Sequence, residues 1–114
     1  MNQVETLTAE LAQAILNSSE YREYLKCSEI VKRDADIYRR VNDMRRYNFE
    51  IQNNADVGNV YDTAEELRKQ YQEIRSIPQV KNFLMAEMSL GRMIQNICRN
   101  IVKDLEFDLS FLEG

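Results

Sequence analysis

Two carboxylates, Asp34 and Glu87, lie on the apolar sides of predicted helices and are the side chains best placed to do chemistry. Paired carboxylates inside a helical bundle can bind metal ions, but ferritin-like sites also require Glu-x-x-His pairs. The sequence contains no histidine. A buried carboxylate is costly unless it is paired or protonated. We therefore expect each to bond an arginine, a tyrosine or a backbone group and to fix helix register, without a metal site.

The two cysteines, Cys27 and Cys98, could supply thiolate ligands. A zinc tetrad or an iron–sulfur cluster usually takes four protein ligands, so only cysteines pooled from several chains could form one. Both fall on apolar faces, and we expect buried structural thiols. The sequence has no glycine-rich phosphate loop, no GxSxG motif and no kinase signature. It predicts no catalytic residue, no cofactor and no enzyme activity.

The composition favours a single all-α domain over residues 1–114. Hydrophobic residues make up 44% of the 114 residues, which is enough for one core. With 3 glycines and 1 proline, the chain has too few turn residues for a β-sandwich or barrel. The net charge of -4 argues against a protein that mainly coats nucleic acid. No membrane span or signal peptide is evident, so we expect a cytoplasmic protein without membrane contact.

Apolar spacing and capping residues predict an antiparallel bundle of about four helices with one long central helix. The helices begin near residues 6, 20, 62 or 63, and 78. The first ends at Asn17, which has capping-box spacing to Glu20. The second reaches Asn53 without a glycine or proline, and a polar loop follows it. The fourth begins at Pro78, because proline suits a helix's first turn, and ends near Asp104.

The long second helix carries an apolar line with seven-residue spacing, formed by Ile30, Ile37, Met44 and Ile51. At ~1.5 Å per residue, this helix would be a rod of roughly 50 Å, whereas a compact domain of this size has a radius of gyration of ~13 Å. Part of its apolar face would stay exposed unless the helix bends or a second subunit covers it. We therefore expect a homodimer or a related partner. Gly91, on the fourth helix, would allow a neighbouring helix to approach closely.

The same predicted helix carries basic residues that a nucleic acid could contact, namely Lys32, Arg33, Arg39, Arg40, Arg45 and Arg46. Acidic residues precede most of them by three or four positions, spacings at which acids and bases pair on a helix surface. We therefore favour a solvated, self-paired face. The alternative is a direct RNA-binding module, whose affinity would fall steeply with salt concentration.

The C-terminal segment 105–114 alternates apolar residues with polar or acidic ones, although Leu105, Leu109 and Leu112 also fit a continued helix. We expect this tail to fold back on the core of its own chain. The alternative is a docking segment for a partner protein.

The features follow one another in a recognisable order. A short helix precedes residues 18–24, Ser-Ser-Glu-Tyr-Arg-Glu-Tyr, and a long helix with Asp34. After a polar loop come residues 77–80, Ile-Pro-Gln-Val, and residues 83–87, Phe-Leu-x-Ala-Glu, followed by Leu90, Ile94 and Ile97. This order, over roughly residues 4–104, resembles the YlbF/YmcA family of small bacterial helical regulators.

The resemblance implies an all-α, often oligomeric, cytoplasmic protein without catalytic residues. Members of that family act in the control of competence, sporulation and biofilm formation, and the best-known pair influences messenger-RNA processing by a membrane-tethered ribonuclease. Some members bind iron–sulfur clusters through C-terminal cysteines, but this sequence has none after Cys98, so we expect no cofactor. We interpret the chain as an adaptor that acts by protein–protein contact with itself, with relatives or with ribonuclease-associated proteins.

Overall fold

The part of the chain that the structure describes folds into five α-helices, which confirms the all-α prediction. The structure is a computed structural model that describes residues 2–53 and 61–112, without the side chains of residues 51–53 and 61–64. The helices are α1 (Gln3–Leu16), α2 (Ser19–Lys32), α3 (Ala35–Asn53), α4 (Tyr61–Ser76) and α5 (Pro78–Val102), and a 3₁₀ turn follows at Ser110–Leu112. No strand occurs within the two described ranges.

Short polar side chains at the helix starts satisfy backbone N–H groups that have no partner inside the helix. The Asn2 side chain accepts a hydrogen bond from the backbone N–H of Glu5 at 2.8 Å, and α1 begins at the next residue. Ser18 caps α2 by accepting from the N–H of Tyr21 at 3.2 Å. The predicted capping of α2 by Asn17 is therefore wrong, because Asn17 is the C-terminal cap residue of α1.

The predicted long central helix is wrong, because the chain breaks between α2 and α3 at Arg33 and Asp34. The Asp34 side chain accepts hydrogen bonds from the N–H groups of Asp36 at 3.1 Å and Ile37 at 3.2 Å. These bonds start a new helix without help from glycine or proline. The predicted rod of roughly 50 Å therefore does not exist.

The remaining boundaries lie close to the predicted ones. Pro78 occupies the first turn of α5 behind Ile77, where its missing N–H is harmless, and α5 ends at Val102, near the predicted Asp104. Helix α4 begins at Tyr61, one or two residues before the predicted start at residue 62 or 63. The predicted loop through 54–59 lies outside the described residues.

The core joins α2, α3, α4 and the first half of α5. Its buried side chains are Cys27, Val31, Val41, Met44, Ile74, Val80, Phe83 and Ala86. Tyr24 stacks on Phe83 with ring centroids 5.6 Å apart, and Tyr47 contacts Tyr71 at 5.5 Å. No residue of α1 is buried, and α5 has no buried residue after Ala86.

The molecule is thin and extended for its length. Its principal extents are 49 × 43 × 21 Å and its radius of gyration is 18.8 Å, whereas a compact domain of this length would have ~13 Å. A thickness of 21 Å accommodates two layers of helices, each ~10 Å across. Many large apolar side chains are consequently exposed to solvent.

Candidate interface surfaces

Glu87 joins α5 to α3 through an ion pair with Arg45. Their Oε2 and Nη2 atoms are 2.9 Å apart, and the two side chains keep 39% and 41% of their surfaces exposed. The Oε2 atom itself is shielded from solvent, and its contact with Arg45 lacks hydrogen-bond geometry. The Arg45 guanidinium also lies over the Phe83 ring, 5.4 Å from its centroid. Glu87 therefore meets an arginine, as expected, and the pair orients α3 on α5.

Asp34 has a different environment from Glu87. It is exposed and bonds the backbone at the start of α3, which matches the expected backbone partner but not the expected apolar setting. Among the residues that the structure describes, no group of three or more cysteine, aspartate and glutamate side chains could hold a metal ion.

The two cysteines have opposite environments. Cys27 is buried in the core, and its Sγ lies 3.5 Å from Oε1 of Glu23. Burial, followed by the bond to Glu23 and its charge, raises the pKa of the Cys27 thiol above 9.0. Cys98 is exposed on α5, so the expected buried thiol is wrong at that position.

The basic residues considered for RNA binding do not lie on one helix. Lys32 and Arg33 are at the end of α2, and the others are on α3. Arg39 pairs with Asp36 at 2.8 Å, and Lys32 lies 5.9 Å from the centroid of the Tyr38 ring. Arg40 is half-buried, whereas Arg46 is exposed. The RNA-binding alternative stays a prediction.

The break at Asp34 also divides the seven-residue apolar line. Ile30 is exposed on α2, while Met44 is buried and Ile37 packs against the core from α3. The side chain of Ile51 lies outside those that the structure describes. The line therefore serves mainly the internal core and does not form a continuous external face.

The second half of α5 presents an apolar surface without a fully buried side chain, half-buried at Leu90 and Ile97 and exposed elsewhere. We call it the α5 distal face and define it as Leu90, Ile94, Ile97, Cys98, Ile101 and Val102. Ile101 is 57% exposed. A side chain at Gly91 would meet no atom within 4 Å, so none of the described helices of this chain makes the expected close approach there. The α5 distal face continues the side of α5 that is buried in its first half.

A second apolar surface runs along α1, exposed in the first half of the helix and half-buried at Leu11 and Ile15. We call it the α1 stripe and define it as Val4, Leu7, Leu11 and Ile15, which share one side of the helix by their spacing of three and four. Leu7 is 54% exposed, and Val4 is 73% exposed. The spacing was visible in the sequence, but its lack of cover could be known only from the positions of the other helices.

The tail, residues 105–112 of the described chain, is exposed along its whole length. Phe107 keeps 62% and Phe111 73% of its surface, so the expectation that the tail folds back on the core is wrong. The Ser110 hydroxyl and N–H donate to Asp108 Oδ1 at 2.7 and 3.1 Å. The same bonds hold the pKa of Asp108 below its ordinary value.

A shallow groove lies between α2 and α5. Its volume is about 450 Å³, and its lining residues are Ser19, Glu20, Glu23, Asn82, Met85, Ala86 and Ser89. The Ser19 hydroxyl bonds Glu20, which lowers the pKa of that carboxyl. The lining has two hydroxyls and two carboxylates but no cationic side chain, and the groove marks where α2 begins beside α5.

Over the residues that the structure describes, the fold and its exposed apolar side chains define an all-helical protein. The sequence profile of the family described as "Control of competence regulator ComK, YlbF/YmcA" matches residues 4–106. This chain belongs to that regulatory family, and the resemblance drawn from the sequence is confirmed.

Two curated relatives extend the comparison. A UPF0342 protein of Caldicellulosiruptor bescii is 27% identical over 109 residues, which cover 94% of this chain and 92% of the relative. A UPF0342 protein of Desulfitobacterium hafniense is 30% identical over 92 residues, covering 77% and 73% respectively. No solved structure matches the chain. None of the helices in the described ranges has the length and apolar character needed to cross a bilayer.

Proposed function

We propose that this protein is a non-catalytic regulatory adaptor that acts by protein–protein contact in the control of competence and related developmental programmes. The observation that carries the proposal is the exposed apolar surface on α1, on the second half of α5 and on the tail. Contiguous exposed apolar surface marks interaction sites in proteins. Membership of a family that controls a competence regulator supports the regulatory setting.

The tail is the surface that we assign to a regulatory partner. Exposed Leu105, Phe107 and Leu109 alternate with the acidic residues Glu106 and Asp108. Large aromatic side chains dominate the energetics of many interfaces, and the acids would favour a partner groove with a basic rim. We propose ribonuclease-associated proteins and family relatives as the partners, with an effect on messenger-RNA processing in the cytoplasm.

The proposal is tested by capturing partners from the source cells with the tagged full-length chain, in nuclease-treated and untreated halves. Replacing both Phe107 and Phe111 by alanine should reduce partner recovery at least about tenfold, since aromatic anchors often contribute more than 2 kcal/mol. Lys103→Ala, an exposed change just before the tail, is the matched control. Deleting the gene should alter competence and transcript processing, and only the control variant should restore them.

One result would overturn the adaptor mechanism, and a second would overturn the assignment of the tail. If partners disappear after nuclease treatment, RNA bridges them, and the basic residues from Lys32 to Arg46 become the binding site. If the double phenylalanine variant retains partners and restores the phenotype, the tail is not a docking segment.

A further inference from the structure

The side of α5 opposite its apolar face carries a row of exposed cations and methionines. We call it the α5 outer face and define it as Lys81, Met85, Met88, Arg92, Arg99 and Lys103. Successive members are three, four or seven residues apart, so they lie within roughly 60° of one side of the helix, in a row ~33 Å long. All six are exposed, and Met85 keeps 58% and Met88 56% of its surface.

The cations of the α5 outer face are uncompensated, although the whole chain has a net charge of -4. Glu87 is the one acidic residue in the sequence between 78 and 103, and it lies on the side that meets α3, where it pairs with Arg45. Among the described residues, no acidic side chain lies within ion-pair distance of the four cations. Arg99 donates to the neutral Asn96 side chain at 3.4 Å. The α5 outer face therefore attracts a negatively charged partner.

Charge and apolar character are separated along the α5 outer face. Three of its cations lie within residues 92–103, whereas Met85 lies at the other end, beside the groove that Glu20 and Glu23 help to line. These two carboxylates would repel an acidic group placed there. Methionine is unbranched and packs against apolar groups of varied shape, and the groove volume of about 450 Å³ exceeds that of a single side chain. An acidic end of the partner therefore fits residues 92–103, and an apolar end fits Met85 and the groove.

Two other kinds of anionic partner fit this face less well. A helix that binds a lipid surface places its apolar side in the membrane, and on α5 that side is opposite to the cations. Nucleic acid contacts rely on rows of cations and on aromatic side chains that stack on bases. The α5 outer face has no aromatic member, and two methionines occupy the ~16 Å between Lys81 and Arg92. An acidic protein segment with apolar residues would use both the cations and the methionines.

The shape of the α5 outer face favours a helical partner segment. Its members form a straight row on the side of a helix, which offers no unpaired backbone edge to which a strand could be added. The three- and four-residue spacing matches the spacing of side chains on a second helix packed alongside. From Met85 to Lys103 the row measures ~27 Å, which a helix of about 18 residues would cover.

We propose that the α5 outer face binds an acidic amphipathic helix of a different protein. Its carboxylates lie over Arg92, Arg99 and Lys103, and its apolar side chains lie over Met85 and the groove between α2 and α5. The inference rests on the proposed function and deepens it, because it gives the adaptor a second contact. The acidic tail and the α5 outer face share no residue, so one chain can join two proteins whose contact surfaces have opposite charge.

A display library of helical peptides tests the proposal without a known partner. Peptides of about 18 residues, randomised on one side, are selected on the full-length chain and counter-selected on Arg92→Glu/Arg99→Glu. The enriched peptides should carry acidic residues clustered in one half and apolar residues in the other. The matched control is Arg68→Glu/Arg75→Glu on α4, which has the same spacing, charge change and exposure. It should retain the enriched peptides.

Fluorescence anisotropy with the most enriched peptide measures the affinity. Arg92→Glu/Arg99→Glu should raise Kd at least about tenfold, because two attractive contacts become repulsive, whereas the α4 control should change it less than about twofold. Raising NaCl from about 50 to about 300 mM should weaken binding severalfold, because salt screens exposed charges. Circular dichroism should show unchanged helix content in both double variants, since all four arginines are exposed.

Photo-cross-linking locates the bound peptide while every cation stays in place. A photoreactive side chain at Met88 should attach to the peptide, because it lies in the middle of the row. The same group at Gln70, an exposed position on α4, should not. Met85→Glu should weaken binding, since it adds a third carboxylate beside Glu20 and Glu23 at the apolar end.

Several outcomes would overturn the inference. They are no enrichment over the counter-selection, enrichment of neutral or basic peptides, equal losses in the two double variants, or attachment of the peptide at Gln70 and not at Met88. Duplex RNA, or vesicles of phosphatidylcholine with phosphatidylglycerol, that bind through Arg92 and Arg99 more tightly than the peptides would assign the face to another class of partner. A changed mass of Arg92→Glu/Arg99→Glu in light scattering, without peptide binding, would assign it to another copy of the chain.

The proposed function fails separately from this inference. Phe107→Ala/Phe111→Ala should bind the enriched peptide as tightly as the native chain, because the tail lies outside the α5 outer face. If the tail captures partners and the chain binds no acidic peptide, the second contact alone is removed. If the peptide binds at Met88 and no partner is captured through Phe107 and Phe111, the role of the tail alone is removed.

Discussion

At the residue scale, the two carboxylates that could have formed a site instead organise helices. Asp34 starts α3 through two backbone hydrogen bonds, and Glu87 ties α5 to α3 through Arg45. Both roles use the charge and geometry of a carboxylate without any reaction. Each role can be tested with a single substitution.

Replacing Asp34 by alanine should lower the free energy of unfolding by ~1 kcal/mol, the usual effect of losing an N-cap side chain. Asp34→Asn should stay within about 0.5 kcal/mol of the parent, because asparagine caps equally well. Urea titration followed by circular dichroism measures both. If alanine stabilises the protein, α2 and α3 prefer to merge, and the cap does not determine the break.

The Arg45–Glu87 pair should contribute little to stability by itself. Both side chains are partly exposed, so solvent screens the attraction, and a double-mutant cycle with Arg45→Met and Glu87→Gln should give a coupling of ~0.5–1 kcal/mol. Arg45→Met alone should cost more than Glu87→Gln alone, because it leaves the shielded Oε2 charge without a partner. Equal effects would contradict this asymmetry.

At the scale of elements, α5 has two halves with different roles. Its first half supplies Val80, Phe83 and Ala86 to the core, and its second half carries the α5 distal face. The tail extends from that second half and contributes nothing buried within the described chain. Substitutions in the first half of α5 should therefore lower stability, whereas substitutions in its second half and in the tail should mainly affect binding.

Truncation after Leu105 should change the melting temperature by less than about 2 °C, because loss of exposed side chains usually changes stability by under ~0.5 kcal/mol. Phe83→Ala is the contrasting control. Phe83 is buried, stacks on Tyr24 and lies under Arg45, so its loss should cost ~3–5 kcal/mol. A large drop in melting temperature on truncation would mean that the tail packs on the core.

At the scale of the whole molecule, we expect Cys27 and Tyr71 to make stability fall at alkaline pH. Burial raises the pKa of Cys27 above 9.0 and that of Tyr71 above 10.0, with Glu23 and Asp43 adding repulsion of the charged forms. In the unfolded chain both groups lose their protons at lower pH. The unfolded state therefore binds fewer protons than the folded state above pH ~9.

The free energy of unfolding should consequently fall as pH rises past ~9 through the folded pKa values. Urea titrations between pH 8 and 10.5 measure the slope. Cys27→Ala and Tyr71→Phe remove the two titrating groups and should each make the decline shallower. A slope unchanged in both core variants would show that other groups govern alkaline unfolding.

The sequence alone determined the helical class, most helix boundaries and the family. These features depend on local preferences: Pro78 fits only a first turn, scarce glycine excludes sheet turns, and apolar spacing follows the helical period. Those preferences act over a few residues, so they can be read without knowing where distant segments lie.

Only the tertiary structure decided the break at Asp34, the partner of Glu87 and the exposure of Cys98 and the tail. A capping side chain such as that of Asp34 contributes only ~1 kcal/mol. Whether the chain breaks at this residue is therefore determined by how α2 and α3 pack against the rest of the molecule. Exposure is a property of what lies opposite a side chain. The same apolar pattern is buried in the first half of α5 but not in the second. The reason is that α2 begins beside residues 82–89 and packs on the part of α5 that precedes them.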